Sequence, residues 1–229
     1  MELVRNNKFC IEQRILNLVL YNHSVPHERQ MYEILSKFYK TFPHVKTVFY
    51  TYDSTLETDC KELGDILFFR GKESLVPGVL DKTLLAFNHF DLSQYDYVIR
   101  PNISTVVHLD KYVDLLTPDM KYAGTHIASI AWIDKKSGVG LKHQGIKYVQ
   151  GTCLTFSSSF LVKIIANPNI IDRKLVDDVS IGKLAAHFAE HPVYNVNQET
   201  NPNIKAIVYR NKHKNRQIDV RNMQIEVCN

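Results

Sequence analysis

Short, nearly uninterrupted apolar runs that alternate with amphipathic stretches constrain this chain more than any other feature. Residues 15–21, 45–52 and 66–69 read as strands buried on both faces, stopped in turn by Asn22 to Ser24, by Asp53 and by Gly71. The stretch after the first run predicts a helix capped by Ser24, with Pro26 in its first turn and Met31, Leu35 and Phe38 on one face, ending before Pro43. Residues 75–90 place Val76, Val79, Leu80, Thr83, Leu84 and Phe87 at helical spacing. A strand over 95–99, a helix over 110–116 and a strand over 147–156 running into a helix over 158–166 follow. The last predicted helix covers 178–189, with Ile181, Leu184, Ala185 and Phe188 inward, before a basic, strand-like tail. Strands alternating with helices predict an α/β fold, a mostly parallel, Rossmann-like sheet flanked by helices, in one domain spanning 1–229.

Charge is distributed unevenly along this frame. Lys and Arg number 28 against 24 Asp and Glu, a net +4 that is too small to argue for nucleic-acid binding. Between residues 205 and 221, however, Lys205, Arg210, Lys212, Lys214, Arg216 and Arg221 face only Asp219, so this segment carries +5 and the rest of the chain −1. No apolar run is long enough to span a membrane, and residues 1–17 show neither an apolar core nor a cleavage site, so no signal peptide is expected. Cys10, Cys60, Cys153 and Cys228 are scattered without C-x-x-C or zinc spacing, which predicts reduced thiols and a cytoplasmic setting.

Open α/β sheets bind ligands beyond the carboxyl ends of their strands. That rule singles out Tyr21, Asn22, His23, Asp53, the run from Arg100 to Ser104, and Gln150-Gly151. No P-loop, G-x-G-x-x-G, H-E-x-x-H or G-x-S-x-G accompanies them. Asp53 suits either a nucleotide contact or an ordinary turn. Lys82 can reach a ligand or run out of a core helix, and Gly151 lets a backbone approach a ligand closely. Trp132, the only tryptophan, falls in residues 123–145, which have no clear period; sugar stacking and a core role are both open to it.

Taken in order, five blocks resemble the β-1,3-galactosyltransferase and Fringe-like group of glycosyltransferases. They are Glu62-Leu63-Gly64-Asp65-Ile66-Leu67, Lys82-Thr83, Tyr95-Asp96-Tyr97-Val98-Ile99-Arg100, Gln150-Gly151-Thr152 and Asp177-Asp178-Val179-Ser180-Ile181-Gly182. In that group they correspond to "GDIL", a Lys-Thr pair, "YDYVLK", the small-residue "SGG" strand and "EDV-x-x-G". The resemblance covers about residues 45–190. It implies a GT-A-like fold, a nucleoside-diphosphate sugar donor, a glycan acceptor, transfer with inversion, and Asp178 as the base with Asp177 beside it. Asp177 or Asp178 equally suits a helix cap. Lys82, Arg100 and Gly151 fall within matching blocks, and Tyr21, Asn22, His23 and Asp53 then belong on the nucleotide side.

One block departs from the group. Where it has an Asp-x-Asp that binds Mn²⁺ or Mg²⁺, this chain has Asn102-Ile103-Ser104, whose neutral oxygens are poor ligands for hard cations. Asn102 and Ser104 can still hydrogen-bond a ribose or sugar, or simply form a turn. No metal ligand is therefore assigned. Arg210, Lys212 and Arg216 can supply the missing positive charge, with residues 205–221 as a lid over the diphosphate; a solvated basic surface is the plain alternative. Relatives in the secretory pathway are anchored, so an unanchored, cysteine-poor version suggests a small viral or bacterial type, acting in the host cytoplasm if viral. A non-catalytic nucleotide-sugar or glycan-binding protein on the same fold is the alternative function.

Overall fold

The computed structural model describes residues 13–201 and 204–228. Cys10 and most of the segment expected to lack a leader lie outside the described residues.

In chain order the strands and α-helices are β1 (Ile15–Leu20), α1 (Pro26–Tyr39), β2 (Val45–Asp53), β3 (Cys60–Leu63), β4 (Ile66–Arg70), α2 (Gly78–His89), β5 (Tyr97–Pro101), β6 (Thr105–Val107) and α3 (Leu109–Val113). They continue with β7 (Tyr122–Gly124), β8 (Ile127–Ser129), β9 (Lys147–Val149), β10 (Cys153–Ser157), α4 (Ser158–Ile165), α5 (Asp177–His187), β11 (Val193–Tyr194), β12 (Gln198–Glu199), β13 (Val208–Arg210) and α6 (Arg216–Glu226). The central sheet has eight strands in the order β11-β7-β10-β5-β1-β2-β4-β3. β1 pairs in parallel with both β2 and β5, and β2 with β4. β10 runs antiparallel to β5 and β7, and β3 antiparallel to β4, so the sheet is mixed around a parallel centre.

Both faces of that centre are covered, as continuous apolar strands require. Leu16 and Leu18 of β1 pack with Leu80, Leu84 and Phe87 of α2, Phe160 of α4 and Leu184 of α5. Ile15 and Val19, on the alternate positions, pack with Met31 and Leu35 of α1 and with Val220 and Met223 of α6. The period-2 alternation of one strand thus fixes which helices lie on which side.

Several boundaries differ from the sequence expectation. Residues 147–156 form two strands in different sheets, because the turn at Gln150–Thr152 interrupts them. α1 begins after Val25, and no side chain caps it; Asn22 Oδ1 instead accepts the Ser24 N–H at 3.0 Å. Val176 likewise precedes α5, so Asp177 and Asp178 occupy its first turn and neither is the cap. The basic tail is built into the fold: β13 pairs antiparallel with β6, and α6 packs on α1. Glu226 and Asp219 fasten it, accepting from the Asn211 side chain and from the His213 N–H and Arg216.

Candidate functional site

Two adjoining clefts open beyond the carboxyl ends of β1 and β5. Leu20, Leu75, Val79 and Asn102 line both. Asn102 sits where the strands part: it bridges to Leu20, and its N–H donates to the Thr152 carbonyl at 3.1 Å.

The first cleft, about 370 Å³, is lined by Tyr21, Asn22, Glu28, Glu73, Lys82, Ser104 and Arg216 among others. Tyr21 stacks on Tyr32 with ring centroids 5.4 Å apart. Lys82 reaches up from α2, buried along its length, and its ammonium donates to the Tyr21 carbonyl at 2.8 Å and to both Glu73 carboxylate oxygens at 2.6 and 2.7 Å. Burial lowers the Lys82 pKa, and the Glu73 charge opposes that shift. All three of its protons have protein partners, so Lys82 organises the cleft wall. Glu28 accepts the Asn22 N–H at 2.9 Å, and burial raises its pKa.

The second cleft, also about 370 Å³, is lined by Arg100, Tyr148, Gln150, Gly151, Asp177, Asp178, Arg210 and Lys212. Arg100 is completely buried beneath it. Its Nη2 donates to Asp177 Oδ2 at 2.5 Å, Nε to the Tyr50 hydroxyl at 3.1 Å and Nη1 to the Gly151 carbonyl at 3.3 Å. Gly151 turns its other backbone group to the neighbouring carboxylate, its N–H donating to Asp178 Oδ2 at 3.0 Å. α5 can lie this close because Gly182 has no side chain; a Cβ there would come within 2.5 Å of Tyr148 Cβ and 2.7 Å of the Lys147 carbonyl.

Asp178 is the chemically distinctive group. A helix N-terminus and two N–H donors, from Gly151 and Val179, favour its charged form. Burial and the adjacent Asp177 outweigh them and push its pKa up to about 7. A carboxylate poised there accepts a proton at neutral pH far better than an ordinary one.

Arg210 faces it from β13. The guanidinium is half-buried, which lowers its pKa against the pull of Asp178, and its Nη1 donates to Gln150 Oε1 at 3.3 Å. Among the described residues neither Arg210 nor the exposed Lys212 is in an ion pair, whereas Arg216 is held by Asp219.

The clefts therefore gather Tyr21, Asn22, Lys82, Arg100, Asn102, Ser104, Gly151, Asp177, Asp178, Arg210, Lys212 and Arg216. His23 and Asp53 line neither cleft. Asp53 closes its own turn, accepting from the Thr55 N–H at 2.8 Å and hydroxyl at 2.7 Å, and His23 packs edge-on to Phe68. Glu28, Glu73, Tyr148 and Gln150 complete the walls. Only Gln150 lay in a stretch that the strand-end rule had marked.

The donor set does not fit Mn²⁺ or Mg²⁺. Asn102 and Ser104 are neutral, Asp177 is committed to Arg100, and no group of three His, Cys, Asp or Glu side chains is arranged to hold a metal among the described residues.

No family model matches the chain, and no curated protein matches its sequence. Among solved structures, a glycosyltransferase involved in the glycosylation of the major capsid of PBCV-1 aligns with a TM-score of 0.48 and 9% identity, over 92% of this chain and 99% of that one. The galactosyltransferase LgtC, in complex with donor and acceptor sugar analogs, aligns with a TM-score of 0.45 and 13% identity, over 92% of this chain and 95% of that one. Both scores lie below one half, and the chemistry of the site rests on its own residues.

Proposed function

We propose that this chain is a glycosyltransferase of GT-A-like type. It binds a nucleoside-diphosphate sugar across the two clefts and transfers the sugar to a glycan hydroxyl with inversion. One observation carries the reading: Asp178, a carboxylate whose pKa is pushed up to about 7, faces a half-buried Arg210 that is in no ion pair among the described residues, in a cleft that continues past Asn102 into a second one. Three of the resembling blocks meet at this place: Arg100 donates to Gly151 and, 77 residues away, to Asp177.

The nucleoside belongs in the first cleft, between Tyr21 and Ser104, and the diphosphate near Asn102. The acceptor hydroxyl attacks the anomeric carbon from the Asp178 side, and Asp178 takes its proton as the new C–O bond forms. The bond to the diphosphate oxygen breaks on the opposite face, and its electron pair leaves with the phosphate. Single displacement by one base inverts the anomeric centre. Arg210 and Lys212 offset the charge that develops on the leaving group, a role open to Arg and Lys where no metal is held. Arg100 holds Asp177 and Gly151, and Gly151 in turn holds Asp178.

The neutral Asn102-Ile103-Ser104 run favours a second reading, a protein that binds nucleotide sugars without turning them over. Release of nucleoside diphosphate from a panel of UDP-, GDP- and dTDP-sugars, with and without Mn²⁺, separates the two. Release from one donor is expected; binding without release from any donor leaves the second reading.

A further inference from the structure

Residues 132–147 form an exposed excursion whose chemistry the clefts do not use. Trp132, Ile133 and Leu141 are exposed there, Ile133 and Leu141 at 57% and 69%. Lys135, Lys136, Lys142 and Lys147 are exposed among them, and Asp134 is the only acidic residue in the stretch. None of the four lysines is in an ion pair among the described residues. Asp134 spends its carboxylate locally, accepting from the Lys136 N–H and the Ser137 hydroxyl.

The excursion is nevertheless firmly seated. Asp134 and Val139 exchange two backbone hydrogen bonds at 3.0 Å, which folds the chain back on itself between Trp132 and Leu141. Val139 and Ile130 are buried with Tyr148, Leu175 and Val179 in a small separate core. Three apolar side chains left in water on a rigid base call for a partner.

We infer that this excursion docks on an anionic lipid bilayer surface. Trp132, Ile133 and Leu141 enter the boundary between headgroups and acyl chains, where an indole is best accommodated, and the four lysines meet the lipid phosphates. Charge complementarity commits the surface to this occupant: a net +3 around an apolar tip matches a negatively charged, hydrocarbon-backed plane. Among the described residues no helix is long and apolar enough to cross a membrane.

Tyr148 joins the excursion to the second cleft, since it interacts with the Trp132 indole and lines that cleft. An acceptor carried at a bilayer surface is therefore brought to Asp178. This consequence rests on the transferase reading; the membrane contact does not, and its test needs no turnover.

Trp132 is the only tryptophan in the chain and so reports directly on the contact. Its emission is recorded while the full chain is titrated with phosphatidylcholine vesicles, with and without phosphatidylglycerol, and with brominated acyl chains as quenchers. A blue shift and bromine quenching are expected with the anionic vesicles only. The double variant Lys135→Glu/Lys136→Glu, which keeps Trp132, is expected to lower vesicle partitioning at least about tenfold. Ile133→Asp is expected to abolish the quenching, with the melting temperature of each exposed-site variant unchanged. An emission spectrum unmoved by any vesicle, or equal partitioning to neutral and anionic vesicles, overturns the inference.

Discussion

Arg100 and Asp177 form an ion pair beneath the second cleft, both side chains all but removed from solvent, and this pair supports the floor on which Asp178 stands. Breaking it from one side strands a charge. Arg100→Ala is expected to cost about 3–5 kcal/mol in denaturant unfolding, because Asp177 stays buried without its partner. A loss below about 1 kcal/mol would show that the site relaxes to admit water.

The pH profile of donor turnover tests the tuning of Asp178. A base works only when deprotonated, and burial with Asp177 holds Asp178 protonated up to about pH 7. The rate constant kcat/KM should therefore rise about tenfold per pH unit below that point and level off above it. An ordinary carboxylate would place the rise near pH 4. A profile flat from pH 5 to 8, on the scale of such a range, would show that Asp178 is not the titrating base.

Arg210 and Lys212 separate charge neutralisation by the protein from neutralisation by a metal. Arg210→Ala removes a half-buried guanidinium from the cleft, and about 10- to 100-fold weaker binding of nucleoside diphosphate is expected by calorimetry. Nucleoside alone should bind the variant and the parent equally. EDTA should leave turnover unchanged, since Asn102 and Ser104 offer no carboxylate. Loss of activity in EDTA that Mn²⁺ restores would contradict this division of charge.

The strands that position the site were the most legible part of the sequence. β1 and β2 are continuous apolar runs because helices cover both faces, and the residues just beyond the end of β1, Tyr21 and Asn22, do line a cleft. The same rule failed at Asp53, where a local turn satisfies the carboxylate before any ligand could. α6 was missed because its buried positions include Asp219 and Glu226, which break the apolar period. The partner of Lys82 was hidden for another reason. Glu73 lies nine residues away on a loop, and nothing local marks a loop glutamate that will accept from Tyr52, Thr51 and Lys82 together. The raised pKa of Asp178 was not legible either. A helix N-terminus lowers a carboxylate's pKa, but its burial against Asp177 is tertiary and dominates.

The most direct measurement compares the parent chain with Asp178→Asn on whichever donor is hydrolysed, recording turnover and donor affinity on the same preparations. The substitution keeps the shape and removes the base. Turnover should fall about 100- to 10,000-fold while the donor Kd stays within about twofold. Turnover that survives in Asp178→Asn, or donor affinity that falls in step with it, would contradict the assignment of Asp178 as the base that accepts the acceptor's proton.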